Sequence, residues 1–203
     1  MTVKLIWITP DAEKLMAYMM RVSNPKNQDN TDLGVLRFGM REGHWSPFQM
    51  GNMCVEINTS RDISAQIIRH QSFHYQEFSQ RYAKAMGICP TKIRRQDTKN
   101  RQNSIDDLDP GIQVEFDKQN EELTKKTLEL YKWALDKGVA KECARRILPM
   151  ATSTRVYMNG TIRSWIHYFQ LRCHESTQLE HREVANDIRA VFKHQLPIIG
   201  ELI

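Results

Sequence analysis

The amino-acid sequence predicts a single α+β domain that spans residues 1–203. Its length of 203 residues is typical of one domain. Apolar residues make up 40% of the chain and charged residues 26%, a balance that supplies enough apolar surface for a hydrophobic core. Segments with strand-like composition stand between segments with helical apolar spacing, and no internal repeat or linker separates them.

Three segments have patterns typical of β-strands. Residues 3–8 form an apolar-rich run that ends at Thr9-Pro10, and residues 51–58 alternate apolar with polar side chains. Residues 154–160 are the third candidate strand. These segments supply the strands of the predicted α+β fold.

Seven segments are predicted to be helical from their apolar spacing or their capping patterns. They are residues 11–22, 31–42, a helix begun by Thr59 and Asp62, a long helix after residue 111, and residues 139–148, 161–172 and 177–194. On the long helix, one stripe is formed by Leu123, Leu130, Tyr131 and Ala134. On the 161–172 helix, the residues expected to face the core are Ile162, Trp165, Ile166 and Phe169.

The charge balance is basic and weighted toward arginine. The chain carries 29 Lys and Arg residues against 24 Asp and Glu residues, and 16 of the cations are Arg. Because Arg binds phosphate through two parallel hydrogen bonds, this excess favours phosphorylated partners. Ordinary surface charge is the alternative, and composition leaves it open.

Cysteine spacing and hydropathy exclude several classes of protein. The four cysteines are widely separated and form no CxxC pair, so neither a disulfide framework nor a zinc ribbon is expected. No apolar run approaches the roughly 20 residues that a membrane helix needs, and residues 1–7 have the pattern of a strand rather than a secretory leader. We therefore expect reduced thiols, a cytoplasmic location (the host cytoplasm for a viral protein) and no membrane partner.

Common nucleotide and metal motifs are absent. No two of the nine glycines form a GxG pair, and the chain has neither a Rossmann fingerprint nor a Walker loop nor an HExxH motif. Glu180 and His181 are adjacent on a predicted helix and point in different directions, so we expect solvated positions and no metal site. Any nucleotide would be bound by side chains rather than by a glycine-rich loop.

The densest polar stretch of the chain covers residues 66–82. Gln66, Arg69 and His70 have the i, i+3, i+4 spacing that places side chains on one face of a helix. Two cations, a carboxylate and a hydroxyl fall within thirteen residues, a set that can hold a phosphate and hydrogen-bond a base or ribose. A solvated amphipathic helix followed by a polar turn is the alternative.

The second half of this stretch has a different periodicity. Glu77, Ser79 and Arg81 recur at period two, so an extended segment would point all three side chains the same way. This pattern predicts that the three groups act together on one ligand.

A polar segment at residues 91–111 is long for a loop within a compact domain. Its basic part, residues 92–101, contains five cations and no aromatic residue for base stacking. We interpret it as a loop beside an active site. A non-catalytic nucleotide- or RNA-binding module that uses this loop is the alternative function, and a solvated, partly disordered loop is the structural alternative.

Arg69-His70-Gln71, followed after seven residues by Ser79, resembles the Arg-His-Arg…Ser signature of flavin-dependent thymidylate synthases. Gln71 departs from that signature, because the family usually has a second Arg there. Four further segments resemble family motifs in family order: Arg21-Val22-Ser23, residues 43–48, residues 142–149, and Leu171-Arg172 with Gln178-Leu179-Glu180. The matches extend from about residue 21 to residue 182 and so cover most of the chain.

This resemblance implies a methyltransferase of nucleotide biosynthesis that converts dUMP to dTMP. Methylenetetrahydrofolate would supply the carbon, and FAD reduced by NADPH would supply the hydride. The implied architecture is the thymidylate synthase-complementing fold, with a central, mostly antiparallel sheet flanked by helices. A homotetramer with active sites shared between subunits is implied as well, and we expect neither nucleic acid nor a membrane among its partners.

The resemblance also assigns site residues. The dUMP contacts fall on Gln66, Arg69, Glu77, Phe78, Ser79, Gln80, Arg81, Arg145 and Arg172. The FAD contacts fall on Ser46, Arg69, His70, Gln71, Glu77, Thr161, Arg163 and His167. The family commonly has Asn at the positions of Thr161 and His167, so those two flavin contacts depart from its pattern.

The implied catalytic residues are Arg172 and Ser79. Classical thymidylate synthases activate uracil by adding a cysteine to C6, but no cysteine lies within residues 66–82. The resemblance implies instead that Arg172 stabilises negative charge on the pyrimidine, a task that suits a permanently protonated group. For Ser79 we favour positioning of dUMP over nucleophilic attack, which requires a base within hydrogen-bond reach.

Overall fold

The computed structural model describes residues 1–203 and divides them into two compact units. The first unit consists of Met1, Asn58–Ile67 and Glu77–Val156, and the second of Thr2–Ile57, Ile68–Gln76 and Tyr157–Ile203. Both helices and strands are present, so the predicted α+β fold class is confirmed. The prediction of one domain over residues 1–203 stays a prediction.

The strands form one sheet of four and one hairpin. Their bounds are β1 Thr2–Ile8, β2 Asn52–Ser60, β3 Phe73–Glu77, β4 Arg95–Gln96, β5 Ser104–Ile105 and β6 Ser153–Thr161. The sheet has the order β1-β2-β6-β3, and β4 pairs antiparallel with β5. All three predicted strands are confirmed as β1, β2 and β6, whereas β3 and the hairpin were not predicted.

The helices are α1 Ala12–Met20, α2 Gly34–Arg41, α3 Arg61–Ile67, α4 Pro110–Asp136, α5 Lys141–Ala144, α6 Ile162–Arg172, α7 Leu179–Gln195 and α8 Pro197–Gly200. All seven predicted helices are found. The segment predicted as one helix over residues 139–148 is α5 followed by a 3₁₀ turn at Arg145–Ile147, before Pro149. None of the helices combines the length and the apolar character that crossing a bilayer requires.

The core of the second unit is built around α6. Its predicted apolar stripe is confirmed, because Ile162, Trp165, Ile166 and Phe169 are all buried. The indole N–H of Trp165 donates to the carbonyl of Met53 at 3.0 Å, which ties α6 to β2. Helix α7 contacts both α6 and β1.

Gly160 permits a close approach within this core. A Cβ at this position would lie 2.4 Å from the ring of Phe73 on β3, nearer than real Cβ contacts allow. Any larger residue here would push that ring away from Trp165, whose ring centroid lies 4.7 Å from that of Phe73. Glycine at this point therefore lets the Phe73 ring pack directly against the backbone of β6.

The first unit has a smaller core around the long helix α4. Asp109 caps this helix by accepting from the backbone N–H of Gly111 at 2.7 Å, and Pro110 occupies the first turn. Of the four residues of the apolar stripe, Tyr131 and Ala134 are buried in this core. Leu123 and Leu130 are 64% and 50% exposed, so only part of the stripe packs within this unit.

Candidate active site

Arg172 and His70 form the central contact among the candidate site residues of the second unit. Arg172 ends α6, and its Nε donates to Nε2 of His70 at 2.8 Å. Because arginine can only donate, Nε2 of His70 must be unprotonated and its ring proton must sit on Nδ1. Burial and the neighbouring Arg172 lower the pKa of His70 to about 4, so the imidazole is neutral at physiological pH.

The backbone around His70 differs from the sequence prediction. Thr59 and Ser60 complete β2, so α3 begins at Arg61 rather than at a Thr59–Asp62 capping pattern. Helix α3 ends at Ile67, which leaves Arg69 and His70 in the following turn. The predicted helical face of Gln66, Arg69 and His70 is therefore wrong.

The turn that carries His70 is held by neighbouring aromatic residues. The hydroxyl of Tyr75 donates to the carbonyl of His70 at 2.9 Å, and the His70 ring meets the Tyr168 ring edge-on with centroids 5.0 Å apart. Arg69 and Gln71, on either side of His70, are exposed. His70 is thereby fixed while its two neighbours in the signature are free to meet a ligand.

A cavity of about 620 Å³ opens at the start of α6. It brings together Thr161, Arg163 and His167 of the residues predicted to contact FAD. The other lining residues are Trp45, Gln49, Ser72, Ser164, Ile166 and Gln170. Trp45 stands inside the 43–48 motif and Ile166 on the predicted apolar stripe, whereas the other four had no sequence signal.

Ser46, also predicted to contact FAD, does not line the 620 Å³ cavity. It lines a separate cavity of about 330 Å³ in the second unit, where most of its neighbours are apolar. The flavin contact expected from Ser46 thus has no support from the larger cavity, although Trp45 next to it lines that cavity.

Thr161 is the N-cap of α6. Its Oγ1 accepts from the backbone N–H of Ser164 at 3.1 Å. Asn and Thr both perform this capping, which gives a physical reason why threonine can replace the family's usual asparagine here.

We expect Thr161→Ala to lower the free energy of unfolding by about 1 kcal/mol, because the N–H of Ser164 loses its acceptor. Thermal denaturation of the purified variant measures this loss as a lower Tm. Thr161→Asn is the matched control and should keep the wild-type Tm, since its side-chain oxygen can accept the same bond. Equal losses in the two variants would contradict the capping role.

Glu77 makes the most hydrogen bonds among the candidate site residues of the first unit. Its Oε1 accepts from Ser64 Oγ at 2.7 Å, from Arg61 Nη1 at 3.1 Å and from Thr154 Oγ1 at 3.1 Å. Ser64 and Thr154 are each 1% exposed. The carboxylate therefore joins α3 to β6 and holds the guanidinium of Arg61, a residue that the sequence patterns did not single out.

Arg61 faces a basic cavity of about 210 Å³ in the same unit. Two residues predicted to bind dUMP, Gln80 and Arg145, line this cavity, and Arg146 adds a third guanidinium. Gln80 is 5% exposed, and its Nε2 has no hydrogen-bond partner within the protein. A buried, unpaired amide donor beside three arginines is a site suited to an anion.

The remaining predicted dUMP residues of the first unit lie on a turn. The carbonyl of Ser79 accepts from the N–H groups of Tyr82 and Ala83, so the chain after β3 is not extended. The prediction that Glu77, Ser79 and Arg81 point the same way is therefore wrong. Arg81 pairs with Glu142 at 3.1 Å, with both side chains more than half exposed.

Ser79, Phe78 and Gln66 have local roles in this unit. The Oγ of Ser79 accepts from the backbone N–H of Arg81 at 3.4 Å, a contact that shapes the turn and cannot remove the hydroxyl proton. The N–H of Phe78 donates to the carbonyl of Arg155 at 2.8 Å. Gln66 is half-buried on α3.

His181 was predicted to be solvated, and this prediction is wrong. The residue is 0% exposed on α7, and its Nε2 lies 3.0 Å from the hydroxyl of Tyr168. No group of three or more His, Cys, Asp or Glu side chains is arranged to hold a metal ion. His181 shares the i, i+3, i+4 and i+7 spacing of a buried helix face with Val184, Ala185 and Ile188, so helical periodicity was the sequence signal for its burial.

The basic segment 92–101 is tied to carboxylates of its own loop. Arg95 forms a two-pronged pair with Asp107 through Nε at 2.8 Å and Nη2 at 2.7 Å. Lys92 pairs with Asp106, and Arg94 donates to Ser104 at 2.8 Å. These partners flank the hairpin β4–β5, so the segment is ordered and part of its charge is neutralised.

Comparison with known proteins identifies the family of this chain. The family model for thymidylate synthase complementing protein matches residues 4–198. A probable flavin-dependent thymidylate synthase of Paramecium bursaria Chlorella virus 1 is 47% identical over 213 residues, which cover 100% of this chain and 99% of that protein. A flavin-dependent thymidylate synthase of Synechocystis is 49% identical over 188 residues, or 93% of this chain and 87% of that protein.

A solved structure shares the fold. The crystal structure of a UMP/dUMP methylase, PolB from Streptomyces cacaoi bound with 5-Br dUMP, superposes with a TM-score of 0.86 at 22% identity, over 98% of this chain and 93% of that chain. The predicted α+β fold with an antiparallel sheet is confirmed, and the alternative of a non-catalytic RNA-binding module gains no support. Because the family model matches residues 4–198 of its 203 residues, the chain belongs to the thymidylate synthase complementing protein family.

Proposed function

We propose that this protein is a flavin-dependent thymidylate synthase that methylates dUMP to dTMP. Methylenetetrahydrofolate donates the carbon, and FAD, reduced by NADPH, supplies the hydride when it is bound. The observation that carries the proposal is the Arg172–His70 contact, in which a guanidinium is fixed by a neutral acceptor within a chain of this family. Relatives 47% and 49% identical to this chain are named flavin-dependent thymidylate synthases, and the solved structure that shares the fold is a UMP/dUMP methylase; both support this activity.

Arg172 performs the electrostatic part of the reaction in this proposal. The guanidinium stabilises negative charge that develops on the pyrimidine as C5 becomes nucleophilic. Its Nε is engaged by His70, so the two Nη groups are left to face the ring. Because His70 is neutral, it anchors the guanidinium without cancelling its charge.

A cysteine nucleophile does not fit this site. Cys173 follows Arg172 directly, but burial raises the pKa of its thiol, so the thiolate that would attack C6 is disfavoured. Ser79 lies on a turn where its oxygen accepts a backbone N–H. We therefore assign activation of uracil to Arg172 and positioning of the nucleotide to Ser79.

The basic cavity of the first unit is the proposed phosphate site of dUMP. Arg145, Arg146 and Arg61 supply positive charge, and the buried Nε2 of Gln80 supplies an unpaired donor. Arginine binds phosphate through parallel hydrogen bonds, which makes this donor set well suited to a nucleoside monophosphate.

The residues of the 620 Å³ cavity fit a dinucleotide cofactor. Its volume lies in the range typical of cofactor pockets. It opens at the N-terminal end of α6, where the guanidinium of Arg163 favours phosphate and Trp45 adds an aromatic wall. We propose that Arg163, His167 and Thr161 hold FAD here.

We further propose a homotetramer in the cytoplasm. Leu123, Leu130 and Trp133 on α4 are each at least half exposed, and burial of this apolar surface in a subunit contact would be favourable.

The proposed cytoplasmic location rests on the cysteines. All four are free thiols, which supports a reducing compartment.

The proposal is tested by the colour and turnover of the purified protein. We expect a yellow protein whose flavin absorbance shifts when dUMP is added. It should form dTMP from dUMP only when methylenetetrahydrofolate and NADPH are both supplied. A colourless protein that takes up no FAD and does not oxidise NADPH in the presence of dUMP would overturn the proposal.

A further inference from the structure

A buried polar pair lies beside the Arg172–His70 contact. Tyr168 on α6 and His181 on α7 are 1% and 0% exposed, and the phenolic oxygen lies 3.0 Å from Nε2 of His181. Their surroundings are largely apolar, with Phe73, Trp165 and Phe169 in ring contact with Tyr168. Two apolar side chains of similar size would fill this space without the cost of burying polar groups, so the pair calls for a role besides packing.

The pair is linked to Arg172 through His70. The ring of Tyr168 meets that of His70 edge-on with centroids 5.0 Å apart, and the ring of His181 lies 6.3 Å from the same imidazole. Tyr168 also precedes Arg172 by four residues, so both project from one face of α6. A shift of the Tyr168 ring would therefore move the imidazole that accepts the Nε–H of Arg172.

The pair adds no charge to this arrangement. Burial, reinforced by Arg172 and His70, lowers the pKa of His181 to about 3, and burial raises the pKa of Tyr168. Both groups are neutral at physiological pH. A buried carboxylate in their place would attract the guanidinium and offset the positive charge that the substrate meets.

We propose that Tyr168 and His181 are positioning residues of the dUMP site, which act through His70 to fix the direction of the Arg172 guanidinium. The hydrogen bond between α6 and α7 locks the Tyr168 ring, the ring holds the imidazole, and the imidazole holds Nε of Arg172. The proposal rests on the function proposed above for Arg172.

The test is a double-mutant cycle on dTMP formation by the full-length, FAD-loaded enzyme. Tyr168→Phe keeps the ring and removes the hydroxyl, and we expect kcat to fall by about 10- to 100-fold, since small misplacements of a catalytic group have effects of this order. In an Arg172→Lys background, the same change should have less than about a 2-fold effect, because the planar guanidinium that it orients is already gone.

Two further variants separate positioning from stability. His181→Leu should reduce kcat like Tyr168→Phe, whereas His181→Gln, whose amide can reach the phenol, should restore most of it. Ile188→Val, a buried change on α7 away from the pair, controls for lost stability and should leave kcat unchanged while lowering Tm. Calorimetric measurement of dUMP binding shows whether each variant is still folded and able to bind its substrate.

Each outcome of these experiments either supports or overturns the positioning role of Tyr168 and His181. A loss of kcat that disappears in the Arg172→Lys background supports positioning. If Tyr168→Phe lowers kcat by the same factor in the wild-type and Arg172→Lys backgrounds, or leaves kcat unchanged, the proposal is overturned. Tyr168 and His181 would then have only a structural role. A wild-type protein that forms no dTMP would instead overturn the proposed function itself, so the two failures are distinguishable.

Discussion

Arg172→Ala is expected to reduce dTMP formation by about 10²–10³-fold, the usual cost of removing one preorganised donor that stabilises charge in a transition state. The side chain ends α6 and is only partly buried, so its loss removes a donor without opening the core. The measurement is single-turnover conversion of dUMP with reduced enzyme, together with the Tm of the variant.

Arg182→Ala is the matched control for Arg172→Ala. Arg182 lies on α7 of the same unit, where its Nη1 donates to the carbonyl of Glu175 at 2.9 Å. We expect turnover within about 2-fold of wild type, because a donor outside the site adds nothing to the transition state. If Arg172→Ala retained turnover while it stayed folded, the assigned role of the guanidinium would be wrong.

Glu77→Ala is expected to have the largest effect on stability. The change leaves the hydroxyls of Ser64 and Thr154 without their acceptor in a buried place, and it frees the guanidinium of Arg61. We expect a loss of about 2–3 kcal/mol in the free energy of unfolding. For a chain of this length that corresponds to a Tm lower by roughly 5–10 °C, measured by calorimetry.

Glu77→Gln separates the hydrogen bonds from the charge. The amide oxygen can still accept from Ser64 and Thr154, so we expect this variant to recover more than half of the lost stability. A Tm as low as that of the alanine variant would show that the ion pair with Arg61, rather than the two hydroxyl bonds, stabilises this unit.

Sequence patterns were most informative where one periodicity dominated. The apolar stripe of α6 follows helical spacing, and Ile162, Trp165, Ile166 and Phe169 are buried as that spacing predicts. The residues after α3 were harder, because the i, i+3, i+4 spacing of Gln66, Arg69 and His70 continues past the end of the helix. Spacing identifies which residues a helix would align, but not where the helix ends.

The site was predictable only in part for a related reason. The motifs located Arg172, His70 and Glu77, since each stands in a recognisable local segment. Arg61 and His181 stand in no motif, and each acquires its role from partners distant in sequence. Arg61 meets Glu77 sixteen residues away, and Tyr168 meets His181 thirteen residues away across a helix boundary. Helical spacing places His181 on the buried face of α7, but in neither case does a periodic pattern identify the partner, because these contacts depend on the folded chain.

The two buried imidazoles also determine how the fold responds to acid. Folding lowers the pKa of His70 from 6.5 to about 4 and that of His181 from 6.5 to about 3. Below pH 6.5 the two imidazoles therefore bind protons in the unfolded chain but not in the folded chain. The free energy of unfolding decreases as the pH falls from 6.5 toward the folded pKa values of about 4 and about 3. Above pH 6.5 neither state holds these protons, so this contribution is constant. The neutral ring that anchors Arg172 thus makes the second unit a proton-sensitive part of the molecule.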